Sequence, residues 1–253
     1  MIGKMLRTLK HQFNASRSDA HRWRQFKDEF HRFRELSEAG GRDLSVRWED
    51  RYPQFEDRTA TTEFDAQYVY HTAWASRVLA RMRPNVHVDI SSYVYFPALV
   101  SAFIPVRFYD YRPATLLLSG LTSEAADLTA LPFKDGTISS LSCMHTIEHV
   151  GLGRYGDRLD PQGDVVAAGE LKRVLAPGGL LLMVVPVGRP RICFNAHRIY
   201  SYEQVIVMFD GLRLEEFALL PDDPGQGLVK EASPAIVDQQ QYGCGCFAFR
   251  KRL

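Results

Sequence analysis

The stretch that decides the fold begins at Asp127-Leu-Thr-Ala-Leu-Pro-Phe133 and runs to Pro186. Its middle reads Ile138-Ser-Ser-Leu-Ser-Cys-Met144, an apolar run with the length of a buried strand. Val165–Ala176 then places apolar residues at helical spacing, and Pro177-Gly178-Gly179 stops that helix. The run Leu180-Leu-Leu-Met-Val-Val185 is apolar on both faces, as a central parallel strand is. The stretch therefore predicts a strand–helix–strand unit whose polar residues follow its first strand.

A second strand–helix–strand unit precedes this stretch. Its predicted elements are a strand at Val86–Ile90, a helix from Pro97 to about Ile104 and a strand at Val106–Tyr109. Asp110 follows about twenty residues after the first strand, which is the layout of sites that bind a nucleotide ribose. The segment up to Asp127 is too short for a full crossover helix, so we expect the third strand, near Leu121–Ala126, at an edge of the sheet.

The two units together resemble the middle of a class I S-adenosylmethionine-dependent methyltransferase. The motifs that carry this resemblance are Asp127…Leu131-Pro132-Phe133, Glu148-His149 and Leu175-x-Pro177-Gly178-Gly179. A narrower resemblance, to a family of methyltransferase-like proteins described as a domain of unknown function, is carried by Glu148–Asp157 and Phe194–Arg198. This second resemblance extends from about Val86 to the C-terminus. The resemblance implies an α/β, Rossmann-like three-layer sandwich with a mostly parallel sheet. The last two predicted strands would close that sheet as an antiparallel hairpin.

The resemblance also implies a binding site for S-adenosylmethionine behind the first three strands. The residues implied are Asp89 at the methionine end, Ser91 in the first loop, Asp110 at the ribose hydroxyls, Asp127 at the adenine amino group and Leu128 beside the ring. Ser91 stands where the family normally has a glycine, which allows positive φ and a close approach of the backbone. Two expectations follow: a small serine that still permits binding, or a site that has lost its cofactor.

Three histidines are candidates for a general base at the same edge of the sheet. His145 is the first choice because it directly follows a strand, and His149 and His197 are the alternatives. If the segment is helical, His145 and His149 lie one turn apart and share a face, which would also suit a metal ion. A third ligand would be Asp157, Asp160 or His197, but no spacing establishes one, and the sequence assigns no metal.

The molecule that would receive the methyl group, called here the acceptor, is expected to contact a glycine-rich loop, Gly151–Gly163, and a second segment near Asn195. The predicted substrate-binding residues are Arg154, Tyr155, Asp157, Asn195 and Arg198. Four glycines give the loop the freedom to fold over a polyhydroxylated substrate. The alternative is a rigid turn held by internal Asp–Arg bonds. For His149, the alternative to a catalytic role is a structural bond to nearby backbone.

The overall composition is that of a soluble globular protein. The 253 residues include 31 Lys and Arg against 30 Asp and Glu, so the balance of charge does not call for nucleic acid or an acidic surface. No apolar run reaches the roughly 18–20 residues that a membrane span needs. The four cysteines are expected to be reduced, buried side chains, which together with the other features favours a cytoplasmic protein.

The sequence predicts two parts: residues 1–62, a helical extension with a wrapping loop, and residues 63–253, the α/β domain. Trp23, Phe26, Phe30 and Phe33 recur at helical spacing. We expect this face to pack on the main domain or on a partner subunit, the latter giving a homo-oligomer. The alternative is binding to an anionic membrane surface or nucleic acid. This alternative is based on the basic residues of the segment, which are Lys4, Arg7, Lys10, Arg17, Arg22, Arg24 and Lys27.

The function predicted from these features is S-adenosylmethionine-dependent methylation of a hydroxyl on a sugar or glycan-type small molecule, with a histidine as general base. The alternative is a non-catalytic, methyltransferase-like scaffold or partner subunit that has lost cofactor binding. A third, weaker hypothesis is metal-assisted hydrolysis or epimerisation at His145, His149 and His197.

Overall fold

The computed structural model describes residues 2–41 and 43–253, with side chains from Asp19 onward. It divides into two units, Met1–Glu63 and Phe64–Leu253. The helices are α1 Ile2–Ala39, α2 Ala66–Met82, α3 Tyr95–Val100, α4 Gly163–Val174, α5 Tyr202–Met208 and α6 Pro234–Asp238. The strands are β1 His87–Ile90, β2 Val106–Asp110, β3 Leu121–Ala125, β4 Ile138–Met144, β5 Leu175–Val187, β6 Arg191–Cys193, β7 His197–Ile199, β8 Leu212–Leu220, β9 Val229–Lys230 and β10 Gly243–Lys251.

Within the first unit, the aromatic face of α1 packs against the segment that follows the helix. The ring centroids of Trp23 and Phe55 lie 5.3 Å apart, and those of Phe30 and Trp48 lie 5.0 Å apart. Phe33, further along the helix, is 61% exposed. The helical spacing of the aromatic residues is thus confirmed, while a homo-oligomer formed through this helix stays a prediction. The side chains of Lys4, Arg7, Lys10 and Arg17 lie outside those that the structure describes.

The second unit is built on an eight-stranded sheet with the order β3-β2-β1-β4-β5-β10-β8-β9. The neighbours from β3 to β5 pair in parallel, whereas β10 pairs antiparallel with both β5 and β8. The predicted fold class, with a mostly parallel sheet and a C-terminal antiparallel hairpin, is confirmed. β3 is an edge strand, as the short segment before it predicted.

Helices cover both faces of the sheet, and β5 shows why. Leu181, Met183 and Val185 pack on one face with residues of α4 and α5. Leu180, Leu182 and Val184 pack on the other face with residues of α2 and α3. Because successive side chains of a strand point to opposite faces, a continuous apolar run is what a strand buried on both sides requires.

Some boundaries of helices and strands differ from the sequence prediction, most clearly those of β5 and α3. β5 begins at Leu175 rather than Leu180, because Leu175 already pairs with Ile138 and a register shift separates that pair from the next. α3 begins at Tyr95 and ends at Val100, earlier than predicted at both ends. Among the described residues, none of the helices combines the length and apolar character that a membrane span requires.

Candidate functional site

A cavity of about 350 Å³ lies where the carboxyl ends of the parallel strands meet. Its lining comes from the loops after β1, β2, β3 and β4. Four of the five residues predicted for the cofactor line it: Ser91, Asp110, Asp127 and Leu128. His149, Tyr155 and Asp157 from the loop after β4 line the same space. The structure therefore brings the predicted cofactor residues together with part of the predicted substrate loop.

Asp110 and Asp127 each use one carboxylate oxygen to fix their own loop. Asp110 Oδ1 accepts from the Arg112 backbone N–H at 2.8 Å. Asp127 Oδ1 accepts from the backbone N–H of Thr129 at 2.8 Å and from its hydroxyl at 2.6 Å. In each residue, Oδ2 has no hydrogen-bond partner among the described residues. Turn formation and ligand binding are therefore compatible at both positions.

Ser91 has a different role from the glycine that it replaces. Its backbone is outside the positive-φ region, so the side chain causes no backbone strain. Its hydroxyl donates to Asp89 Oδ1 at 2.8 Å and accepts from the Met144 backbone N–H at 3.1 Å. The serine thus ties the loop after β1 to the end of β4, a link that glycine lacks.

Asp89 lies fully buried on β1 below this loop. Its Oδ1 accepts from the hydroxyls of Ser91 and Ser142, while its Oδ2 has no partner within the described residues. Burial raises the pKa of Asp89 to about 7, against those two hydroxyl bonds, and the negative charge of Asp110 adds to the rise. Asp89 is the one predicted cofactor residue outside the cavity lining, so its role at the methionine end stays a prediction.

A buried polar network continues below Asp89, and sequence reasoning missed it. His87 places its two ring nitrogens 2.8 Å from the hydroxyls of Ser140 and Ser142. Burial lowers the pKa of His87 to about 3, so the ring is neutral at neutral pH. The signal in the sequence was the spacing of the two serines, which puts both on one face of β4.

His145 and His149 do not share a helical face, and the helical hypothesis for them is wrong. His145 has a φ of +50°, and only Ile147–His149 form a single 3-10 turn. His149 lines the cavity, whereas His145 is buried and lies outside the cavity lining. The His145 ring instead places Nδ1 3.0 Å from Glu148 Oε1 and Nε2 3.4 Å from Cys244 Sγ.

The ring of His149 is held by backbone on one side. Its Nδ1 donates to the Ala196 carbonyl at 2.6 Å, and Arg154 donates to the same oxygen at 3.0 Å. This bond leaves Nε2 as the basic nitrogen. The His197 ring lies 6.5 Å from that of His149, outside the cavity lining, and its pKa is lowered by burial and by His149.

The glycine-rich loop is a rigid turn around Asp157. The Asp157 carboxylate accepts from the backbone N–H groups of Gly151 at 2.8 Å, Gly153 at 3.3 Å and Tyr155 at 3.1 Å. Burial alone would raise the pKa of Asp157, but these bonds outweigh it and lower the pKa. The predicted alternative of a rigid turn is therefore right in kind, although Asp157 bonds backbone N–H groups rather than arginines.

The cavity wall also contains a contact that sequence reasoning missed. The guanidinium of Arg112 lies 4.4 Å from the centroid of the Tyr155 ring. This cation–π contact joins the loop after β2 to the glycine-rich loop, and both residues line the cavity. The Arg112-Pro113 pair, which begins two residues after Asp110, was the available signal.

Arg198 and Asn195 are not where a substrate contact was predicted. Arg198 is buried, with Nη1 donating to the Val150 carbonyl at 2.6 Å and Nε 3.5 Å from Asp164 Oδ2. Its donors thus support the ends of the glycine-rich loop rather than the cavity. Asn195 is exposed and outside the cavity lining. Neither side chain reaches the cavity, so the structure does not place these two residues where the substrate was predicted to bind.

A family described as "Caenorhabditis protein of unknown function, DUF268" matches residues 135–219. The match covers about a third of the chain, less than the span from Val86 that the sequence suggested. A search of curated proteins found no match to this sequence.

Solved structures match a larger share of the chain. The N-methyltransferase NodS from Bradyrhizobium japonicum WM9, in complex with S-adenosyl-L-homocysteine, is 16% identical with a TM-score of 0.50 over 73% of this chain and 86% of that one. A candidate sarcosine dimethylglycine methyltransferase from Galdieria sulphuraria is 12% identical with a TM-score of 0.52 and the same coverage. The Burkholderia thailandensis 1,6-didemethyltoxoflavin-N1-methyltransferase, with 1,6-didemethyltoxoflavin and S-adenosylhomocysteine bound, is 11% identical with a TM-score of 0.50 over 72% and 79%. The chain has the class I methyltransferase fold that these structures share.

Proposed function

We propose that this protein is an S-adenosylmethionine-dependent methyltransferase that methylates a hydroxyl of a polar, sugar- or glycan-type small molecule. The observation behind the proposal is the cavity at the strand ends. There, Asp110 and Asp127 each keep a carboxylate oxygen without a hydrogen-bond partner in the described part of the protein, and His149 lines the same space. The class I methyltransferase fold supports the first half of the proposal, and charged side chains in the cavity lining, among them Arg112, Asp157 and Asp160, support the second.

The residues present fit S-adenosylmethionine. Asp110 would accept from the ribose hydroxyls, Asp127 from the adenine amino group, and buried Leu128 would lie beside the ring. Asp89, which is fully buried and outside the cavity lining, would act at the methionine end through Ser91, whose hydroxyl it holds. The cofactor supplies a methyl group already activated on a sulfonium. The cavity volume of about 350 Å³ is within the range of small-molecule sites.

The protein's own task is to hold the acceptor hydroxyl and take its proton. His149 is the best-placed base, because it lines the cavity and its Nδ1–H is held by the Ala196 carbonyl, which leaves Nε2, 3.9 Å from Glu148 Oε1, as the nitrogen that would accept the proton. His145 is enclosed between Glu148 and Cys244, and His197 lies behind His149. Tyr155 and Asp157 line the cavity and Arg154 anchors its wall, which supports a polar acceptor over an apolar one.

The rival function is a non-catalytic scaffold or partner subunit without a cofactor site. Its main support was Ser91, whose side chain is accommodated without positive φ. Location in the cytoplasm and assembly into a homo-oligomer stay predictions under both functions.

Calorimetric titration with S-adenosylmethionine and S-adenosylhomocysteine tests the proposal. We expect Asp110→Ala to weaken binding by about 10- to 100-fold, since hydrogen bonds to a charged group contribute about 1.5–3 kcal/mol. Asp210→Ala is the matched control, because Asp210 also accepts a local backbone N–H, from Gly211 at 2.8 Å, but lies outside the cavity lining. If the folded wild-type protein binds neither ligand, the scaffold function replaces this proposal.

A further inference from the structure

A second cluster of reactive side chains lies in the second unit, outside the lining of the cavity. His71 comes from α2, His145 follows β4, and Cys244 lies on β10. One nitrogen or sulfur atom of each lies within 4.8 Å of those of the other two. The three side chains, called here the buried cluster, are 1%, 4% and 0% exposed.

Hydrogen bonds fix the orientation of both imidazoles in the buried cluster. His71 Nδ1 donates to the Gln67 carbonyl at 2.6 Å, and His145 Nδ1 lies 3.0 Å from Glu148 Oε1. When Nδ1–H is donated to a carbonyl or a carboxylate, the lone pair is on Nε2. This is the arrangement that surrounds most metal-bound histidines.

We propose that His71, His145 and Cys244 bind one zinc-class transition metal ion. His145 Nε2 and Cys244 Sγ are already 3.4 Å apart. A tetrahedral ion with bonds of about 2.3 Å to sulfur and about 2.0–2.1 Å to nitrogen sets such a pair about 3.5 Å apart. The ligand atom of His71 lies within 4.8 Å of these two atoms, so the His71 side chain would move towards them to reach the same ion. A water molecule would complete the tetrahedron.

The charges around the buried cluster also favour a cation. Glu148 is buried, and its Oε2 has no partner within the described part of the chain. A divalent ion would balance the negative charges of this carboxylate and of a Cys244 thiolate, in a place where an uncompensated charge is costly. Imidazole and thiolate donors select zinc-class ions, whereas magnesium and calcium require oxygen ligands.

This site differs from the metal pair considered for the sequence, which combined His145 with His149. It is also independent of methyl transfer, because none of its three ligands lines the cavity.

The first test measures metal content in tag-free wild-type protein purified without chelator. We expect about one zinc ion per chain, and at least a tenfold lower content in Cys244→Ser and in His71→Gln. Cys143→Ser is the matched control, because Cys143 is equally buried but packs on the opposite face of the sheet. Metal retained in Cys244→Ser, or lost equally in Cys143→Ser, would overturn the assignment.

The second test needs no variant to fold. Wild-type protein stripped of metal is titrated with Co²⁺ and followed by absorption. We expect a thiolate-to-cobalt charge-transfer band that saturates at about one equivalent, as a site with a cysteine ligand produces. A folded wild-type protein that holds no zinc and gives no such band would show that the three side chains form only a hydrogen-bonded packing cluster.

Discussion

His145 and His149 are four residues apart in the chain, but their side chains occupy different regions of the molecule. His149 lines the cavity, and its Nδ1 donates to the Ala196 backbone carbonyl. His145 turns into the protein, where it meets His71 and Cys244. The difference shows that the chemistry of a histidine depends on its backbone and its neighbours, because the residue type is the same in both.

Glu148 lies between the two regions and contacts both. Its Oε1 is 3.0 Å from His145 Nδ1 and 3.9 Å from His149 Nε2. The positive φ of His145 turns the chain at this point, so that a single carboxylate faces the buried cluster and lies behind the wall of the cavity. Three predictions test the contrast between the regions, beginning with the largest effect.

The largest expected effect comes from matched substitutions of the two histidines. His149→Gln should lower kcat by about 10²- to 10⁴-fold, as loss of a general base does, with cofactor affinity and unfolding free energy unchanged. His145→Gln should instead lower the free energy of unfolding by about 1–3 kcal/mol, because Glu148 and Cys244 lose their partner. Transfer of radiolabelled methyl groups to the acceptor found in a sugar and sugar-nucleotide screen, together with urea denaturation, measures both.

The contrast fails if the two variants behave alike. Full loss of turnover in a stably folded His145→Gln protein with His149→Gln active would return the role of base to His145.

A smaller effect is expected from glycines in the loop that carries the cavity wall. A Cβ on Gly151, which has a φ of +78°, would lie 2.1 Å from the Asp160 carbonyl oxygen. Gly156 has a similar φ of +84° but open space around it. Gly156→Ala should cost about 1–2 kcal/mol from backbone strain alone, and Gly151→Ala about 2–4 kcal/mol, as measured by urea denaturation.

Equal costs for the two alanines would mean that the contact with Asp160 yields without strain. The glycine-rich loop would then be less rigid than its hydrogen bonds to Asp157 indicate.

The last effect is spread over about three pH units, so it is the smallest at each step of the experiment, and it concerns Asp89, which is buried below the cavity. Its folded-state pKa is raised to about 7 by burial. Between about pH 4 and about pH 7, the folded state therefore keeps a proton that the unfolded chain has lost. This lowers the free energy of unfolding by at most about 1.4 kcal/mol per pH unit as pH rises. Asp89→Asn should remove this decline, which urea denaturation at several pH values measures.

Asp110 and Cys143 are the other titratable groups coupled to Asp89, so Asp110→Asn serves as the control for the slope. A wild-type slope that Asp89→Asn leaves unchanged would show that Asp89 is ionised throughout the range.

Local pattern predicted the strands and the layers of this protein. The run Ile138–Met144 forms β4 at the predicted bounds, and Ser201 and Gln204, which have the spacing of a capping box, form one at the start of α5. Asp110 and Asp127 reach the cavity because the carboxyl ends of parallel strands meet at one edge. These features depend on side-chain periodicity and chain direction, which the sequence contains.

The sequence by itself thus determined the fold class, the edge of the sheet at which a cofactor is predicted to bind, and the candidates for a general base. Only the tertiary structure decided which histidine lines the cavity, because that choice depends on a single positive φ at His145 and on packing across the sheet. It also brought together His71 and Cys244, which are far apart in the chain and share no motif. Contacts between distant segments arise from the packing of helices on the sheet, and local periodicity does not record them.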